Sequence, residues 1–111
     1  MLDVACGLGG SLRAILAEWP VRGIGIDSGA NPSHEAQLEL KRGDAHALPS
    51  ADACVDVVLC DCALSTFVDQ PGSFRERYRL LRPGGLVAVV EWVLRGDWPD
   101  PLPGWVPPGR C

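Results

Sequence analysis

Residues 1–27 read MLDVACGLGGSLRAILAEWPVRGIGID. Met1–Ala5 is a short apolar run interrupted only by Asp3, and it runs into Gly7, Gly9 and Gly10. Leu12, Ile15, Leu16 and Trp19 then recur at i, i+3, i+4 and i+7, the single apolar stripe of a helix. Pro20 closes that stripe, and Val21–Ile26 forms a second strand-like run that ends at Asp27. Strand, glycine turn, helix and strand in this order require a crossover, so the two strands are expected to be parallel.

The alternation continues outward from this unit. Ser28–Asn31 reads as a turn, and Pro32-Ser33 starts a short helix through about Leu40, with Glu35 placed for its dipole. Leu40–Gly43 is a strand candidate, His46–Ala53 a loop, and Val55–Cys60 a β-branched buried strand. Ser73 and Glu76 match a capping box, and Phe74, Tyr78 and Leu81 give the helix that follows one apolar face. Arg75, Arg77, Arg79 and Arg82 read as its solvated side. Pro83-Gly84-Gly85 ends the helix, and Leu86–Trp92 is a last buried strand. The pattern predicts an α/β fold built on a parallel sheet with helices on both faces. Residues 1–94 form the expected core, and 95–111 an irregular tail rich in Pro and Trp.

Composition narrows the classes of function. The chain has 111 residues, 47% of them apolar and 22% charged, which suits one domain with its own core. No apolar run reaches the roughly 20 residues needed to span a bilayer, and no basic segment with an apolar h-region opens the chain. A cytoplasmic protein without a membrane partner is expected. The net charge of −4 argues against a nucleic-acid partner, which calls for a basic field. Cys6, Cys54, Cys60, Cys62 and Cys111 are odd in number, without framework spacing, and read as free thiols.

In an open parallel sheet the ligand lies beyond the carboxyl ends of the strands. Asp3 to Gly9, Asp27, Asp44 and Cys60 to Cys62 all follow strand ends. The turn Ala5-Cys6-Gly7-Leu8-Gly9 lets a ligand approach the backbone, and the helix amides beyond it can receive an anion. Asp27 stands where an acid accepts hydrogen bonds from the hydroxyls of a ribose. These features suit NAD, FAD and S-adenosylmethionine alike.

LDVACGLGG, GIGID, GDAHALPSADACVDVVLCD and RLLRPGGLVAVVEW occur in that order between residue 2 and about residue 92. Together they resemble the successive motifs of class I S-adenosylmethionine-dependent methyltransferases, in the small-molecule branch related to the ubiquinone/menaquinone-biosynthesis and arsenite-type enzymes. A nicotinamide-dependent oxidoreductase would leave the LPS and LRPGG segments unexplained. The resemblance implies a Rossmann-like doubly wound parallel sheet of five strands in the order 3-2-1-4-5. It implies S-adenosyl-L-methionine as cofactor and a small-molecule methyl acceptor. By position, Asp3, Ala5, Cys6, Gly7 and Gly9 wrap the methionine half of the cofactor. Asp27, with Ser28 beside it, takes the ribose; Asp44 takes the adenine amino group with Ala45 beside the ring; and Cys60 lines the methionine and substrate side.

The departures from that pattern are local. Ala5 replaces the first glycine, which is tolerable while its φ stays negative. The stretch between Asp27 and Gly43 is short. Family members carry a helix before the first strand and a terminal antiparallel hairpin. The sequence shows neither, so it reads as truncated, with an uncovered sheet edge open to association. A catalytically incomplete cofactor-binding module is the alternative reading. Cys60-Asp61-Cys62 offers two thiols to a soft metal, but two thiols supply only part of a usual site, so a buried pair of small side chains and no metal site is expected. No catalytic base stands out, since His34 and His46 read as surface or loop residues. Trp98 and Trp105 either cover a substrate or plug the sheet edge.

Overall fold

The computed structural model describes residues 1–93 and 95–96. Trp98, Trp105 and Cys111, with nearly all of the expected tail, lie outside the described residues. The elements are β1 (Leu2–Val4), α1 (Gly10–Glu18), β2 (Gly23–Asp27), β3 (Ser33–His34), β4 (Leu38–Arg42), β5 (Val55–Asp61), a 3-10 turn (Leu64–Thr66), α2 (Gln70–Leu80) and β6 (Leu81–Val90). The sheet runs β3-β4-β2-β1-β5-β6. Every neighbouring pair is parallel except β3 with β4, which is antiparallel. Apart from β3 this is the expected order. The sheet therefore has six strands rather than five.

The sixth strand replaces the helix expected from Pro32 to about Leu40. Leu38 and Leu40 alternate with Glu39 and Lys41, a period of two that buries both leucines beside Leu12 of α1. A helical turn would have put one of them in water. Glu35, expected at that helix's start, instead pairs with Arg13 of α1 at 2.7 Å.

The opposite face holds Leu2, Val4, Ile26, Leu48, Val55, Val58 and Leu80 in one cluster, with α2 packed on it. The N-cap of α2 is Asp69, not Ser73: its Oδ1 accepts the Gly72 amide at 2.9 Å, and Pro71 lies in the first turn. Glu76 is thereby freed from a capping box. It accepts the Leu48 amide at 2.9 Å and pairs with Arg79 at 2.8 Å. Arg79 also donates to the Leu48 and Ser50 carbonyls and to Asp52, so it fastens the loop before β5 rather than facing solvent. The buried stripe of α2 is Ser73, Arg77 and Leu80, while Tyr78 of the expected apolar face is 80% exposed.

α2 ends at Leu80 and β6 begins at Leu81, so Pro83-Gly84-Gly85, expected to end the helix, lies within the strand, where the register against β5 shifts. Among the described residues nothing pairs with the outer edge of β6, and Leu86, Val87, Val89 and Val90 are exposed. No helix among the described residues is long and apolar enough to cross a membrane.

Candidate functional site

The carboxyl ends of β1, β2 and β5 meet at the glycine turn. The turn is fastened to β2 by the Ala5 and Cys6 amides, which both donate to the Ile26 carbonyl, at 2.8 and 3.2 Å. Gly25 is what lets it sit so close: a Cβ there would lie 2.7 Å from both Cys6 Sγ and Leu40 Cδ2. Gly9, at φ 79°, begins α1 without a side-chain cap. Ala5 stands at φ 61°, against the expectation of a negative angle. Left-handed backbone at an L-residue with a Cβ costs roughly 1–2 kcal/mol. Ala5→Gly is therefore expected to stabilise the fold by about 1 kcal/mol, net of the extra chain entropy of glycine, as read from the denaturant midpoint.

Asp27, the last residue of β2, turns its carboxylate onto this loop. Its Oδ2 accepts the Gly7 amide at 2.9 Å and its Oδ1 accepts the Gly29 amide at 2.8 Å. Two fixed amides leave each oxygen one lone-pair direction for a ligand's hydroxyl. Beyond it opens a cavity of about 680 Å³, within the usual range for small-ligand sites. Ala5, Asp27, Ser28, Asp44 and Ala45 line it from one side, and Thr66, Phe67 and Val68 from the loop after β5 close the other.

Asp44 is held by its neighbour His46. The His46 amide donates to its Oδ1 at 2.8 Å, and Nδ1 of the same ring lies 2.8 Å from that oxygen. These hydrogen bonds hold the Asp44 carboxyl below the ordinary carboxylate range. The ring of His46 packs edge-on to Phe67 with centroids 6.0 Å apart, so the histidine read as a loop residue is also part of the cavity wall.

Asp3 lies deeper, 2% exposed, with Oδ1 buried and without a partner. Burial first, and then Asp61 and Asp27, push its carboxyl up to about 7. Burial also pushes the Cys6 thiol up to about 11, helped by Asp3 and Asp27, which keeps it a protonated thiol rather than a nucleophile.

Cys60 does not line the cavity. Its side chain is fully buried, and its Sγ accepts a hydrogen bond from Arg77 Nη2 at 3.4 Å. Cys62 is exposed in left-handed backbone, so the two thiols are not the buried pair expected, and no metal-ligating cluster forms among the described residues.

Arg77 was legible only as a surface charge, yet it is wholly buried. Its guanidinium lies 5.1 Å from the Phe67 ring centroid and 5.0 Å from that of Phe74, with Nη1 on Ser73 Oγ at 3.1 Å. Two aromatic faces offset part of its desolvation, and the stack braces Phe67 as a wall of the cavity. Its signal was positional: Ser73, Arg77 and Leu80 sit at i, i+4 and i+7.

A second hollow, about 660 Å³, opens at the amino ends of the strands near Met1, Ile15, Trp19 and Ile24. It contains neither the glycine turn nor Asp27, and ligands of open parallel sheets bind at the other end.

The arrangement has known counterparts. The Methyltransferase domain family model matches residues 2–89. The chain is 33% identical over 101 residues to the 2-phytyl-1,4-naphtoquinone methyltransferase of Thermosynechococcus vestitus, covering 82% of this chain and 45% of that protein. It is 36% identical over 96 residues to the malonyl-[acyl-carrier protein] O-methyltransferase of Xylella fastidiosa, covering 78% of this chain and 32% of that one. A solved complex of a Haloferax volcanii methyltransferase activator with a methyltransferase superimposes with a TM-score of 0.71 at 28% identity, over 79% of this chain and 42% of that one. The chain spans less than half the length of these relatives. A match to one family model over residues 2–89, most of the chain, shows that this chain belongs to the methyltransferase domain family.

Proposed function

We propose that this domain binds S-adenosyl-L-methionine and takes part in methyl transfer to a small-molecule acceptor. The observation that carries this reading is Asp27, fixed through both oxygens by the Gly7 and Gly29 amides at the mouth of a cavity that Asp44 also lines. Asp27 would accept from the ribose hydroxyls, and the remaining oxygen of Asp44 from the adenine amino group. The orphaned oxygen of Asp3 supports a cationic methionine half near the turn of Ala5, Cys6, Gly7 and Gly9. Ser28 and Ala45 pack beside ribose and ring in this reading.

S-adenosyl-L-methionine supplies a methyl group already activated by its sulfonium. The protein's share is to orient the partners and exclude water. Family membership and the quinone named for the Thermosynechococcus vestitus relative support a small acceptor. Among the described residues Cys6, Cys54, Cys60 and Cys62 are free thiols, which supports a reducing, cytoplasmic setting. Calorimetric titration with S-adenosylhomocysteine is expected to show saturable 1:1 binding that NADH does not displace. A folded chain that gives no heat at high micromolar ligand overturns the proposal.

The short span against its relatives favours a second reading, in which the domain holds the cofactor but needs further segments or a partner for turnover. Methylation of a small-molecule panel by the chain alone excludes that reading.

The outer edge of β6, unpaired among the described residues, supports pairing with a second copy. Antiparallel self-pairing about Ala88 sets Leu86 opposite Val90 and Val87 opposite Val89. Light scattering is expected to show a dimer, and Ala88→Lys, which sets two like charges opposite each other on the axis, a monomer. A wild-type chain that stays monomeric at all concentrations refutes the pairing.

A further inference from the structure

The cavity beyond Asp27 has Asp44, Ala45 and His46 on one side and Thr66, Phe67 and Val68 of the loop before α2 on the other. His46 touches both walls. Its amide and its ring Nδ1 each lie 2.8 Å from Asp44 Oδ1. Across the gap, its Nε2 accepts the amide of Asp69, the N-cap of α2, at 3.4 Å, while the ring stands edge-on to Phe67.

This pattern fixes the tautomer. A backbone amide only donates, so Nε2 presents its lone pair and the ring proton sits on Nδ1. From there it donates to Asp44, whose carboxyl is held in its ionised form by these same contacts. The hydrogen bonds therefore run one way, from the Asp69 amide through a neutral imidazole to the Asp44 carboxylate. Both donors of His46 engage Oδ1, which leaves Oδ2 free for the cavity. Nothing else holds this acid: its side chain is 68% exposed and has no further hydrogen-bond partner among the described residues.

We infer that His46 is a positioning residue that sets the preference for the base: its Nδ1–H fixes the Asp44 carboxylate so that Oδ2 receives the adenine amino group, and its Nε2 ties that acid to the loop that closes the cavity. This rests on the reading that the domain binds S-adenosyl-L-methionine with its base at Asp44. The structural alternative is that the ring only packs on Phe67 and steadies the start of α2.

Two measurements separate these. In ring-nitrogen NMR spectra of the unliganded chain at alkaline pH, His46 is expected to carry its proton on Nδ1, with the exposed His34 as reference. A proton on Nε2 overturns the inference. The second measurement compares S-adenosylhomocysteine with its analogue bearing hydrogen in place of the adenine amino group. The wild-type chain is expected to prefer the amino compound by about tenfold, as a charge-assisted hydrogen bond requires. His46→Leu keeps an apolar side chain against Phe67 but no donor, and is expected to bring the two ligands within about threefold of each other. His46→Asn, whose amide nitrogen stands where Nδ1 stood, is expected to hold the preference within about twofold of wild type. Two variants that melt earlier but both keep the full preference overturn the inference in favour of packing. If His46→Leu fails to fold, the ring tautomer and His46→Asn still decide, because an asparagine variant that loses the preference refutes the role of the Nδ1–H. Equal affinity of the wild-type chain for both ligands refutes the inference and leaves the cofactor reading standing. A wild-type chain that binds neither ligand refutes the cofactor reading, and the inference with it.

Discussion

Asp27→Asn is expected to lower the affinity for S-adenosylhomocysteine by roughly 10²- to 10⁴-fold. The carboxylate is an acceptor on every side: Gly7 donates to Oδ2 and Gly29 to Oδ1, and the ribose hydroxyls would take the remaining directions. An asparagine turns one of these oxygens into an NH2 group. Whichever way the amide sits, a donor then faces a backbone donor, and one hydroxyl of the ligand loses its acceptor. Each charge-assisted hydrogen bond is worth about 1.5–3 kcal/mol, so losing two costs about 3–6 kcal/mol of binding. Calorimetry checks the loss, with circular dichroism to confirm that the sheet persists. Asp44→Asn provides the contrast. The Asp44 side chain is 68% exposed, so its contact is made in a more screened setting and its loss is expected to stay within about tenfold. Binding by Asp27→Asn within about threefold of wild type would remove the observation on which the proposed function stands.

The reading of residues 1–27 survives almost unchanged in three dimensions, and the reason is local. A glycine turn after an apolar run and an acid at the end of the next strand are constrained by backbone geometry within a few residues. The elements misread depend on contacts made far along the chain. Leu38 and Leu40 are consistent with a helix beginning at Pro32 until Leu12 of α1 is there to bury both of them. Ser73 and Glu76 have capping-box spacing, but Glu76 is claimed by the Leu48 amide and by Arg79, while Asp69 with Pro71 starts the helix a turn earlier. Arg77 is the sharpest case. An arginine on a helix reads as solvated unless the two phenylalanines that cover it are known to be near, and Phe67 comes from a loop ten residues away. Within the site, Asp27 and Asp44 were legible from strand ends alone. Asp61 falls within the Cys60 to Cys62 stretch that follows a strand end, but its place on the face of Asp3 follows from the register of β1 against β5, which no single segment reports.

Asp3→Asn is expected to stabilise the chain at pH 8 and to remove most of its loss of stability between pH 4 and pH 7. The Asp3 carboxyl is pushed up to about 7 in the folded chain, chiefly by burial, against 3.8 for the free side chain. Between those values the folded state keeps a proton that the unfolded state gives up. Stability therefore falls as pH rises through this window and levels off above 7, where the buried carboxylate is ionised. A shift of about 3 units corresponds to roughly 4 kcal/mol at full extent, a large part of the stability of a domain this size. Asparagine has the shape of the protonated acid and no charge, so denaturant midpoints of the variant should change little across the window. Parallel curves for wild type and variant would show that Asp3 titrates normally and that its surroundings are wetter than the fold indicates. Fold and ligand make opposite demands on this one group: the empty domain favours a neutral Asp3, whereas a cationic ligand favours the carboxylate. Cofactor binding near pH 7 should therefore release a proton, and the measured binding heat should depend on the ionisation enthalpy of the buffer. The variant, with no proton to release at this position, should lose much of that dependence together with part of its affinity.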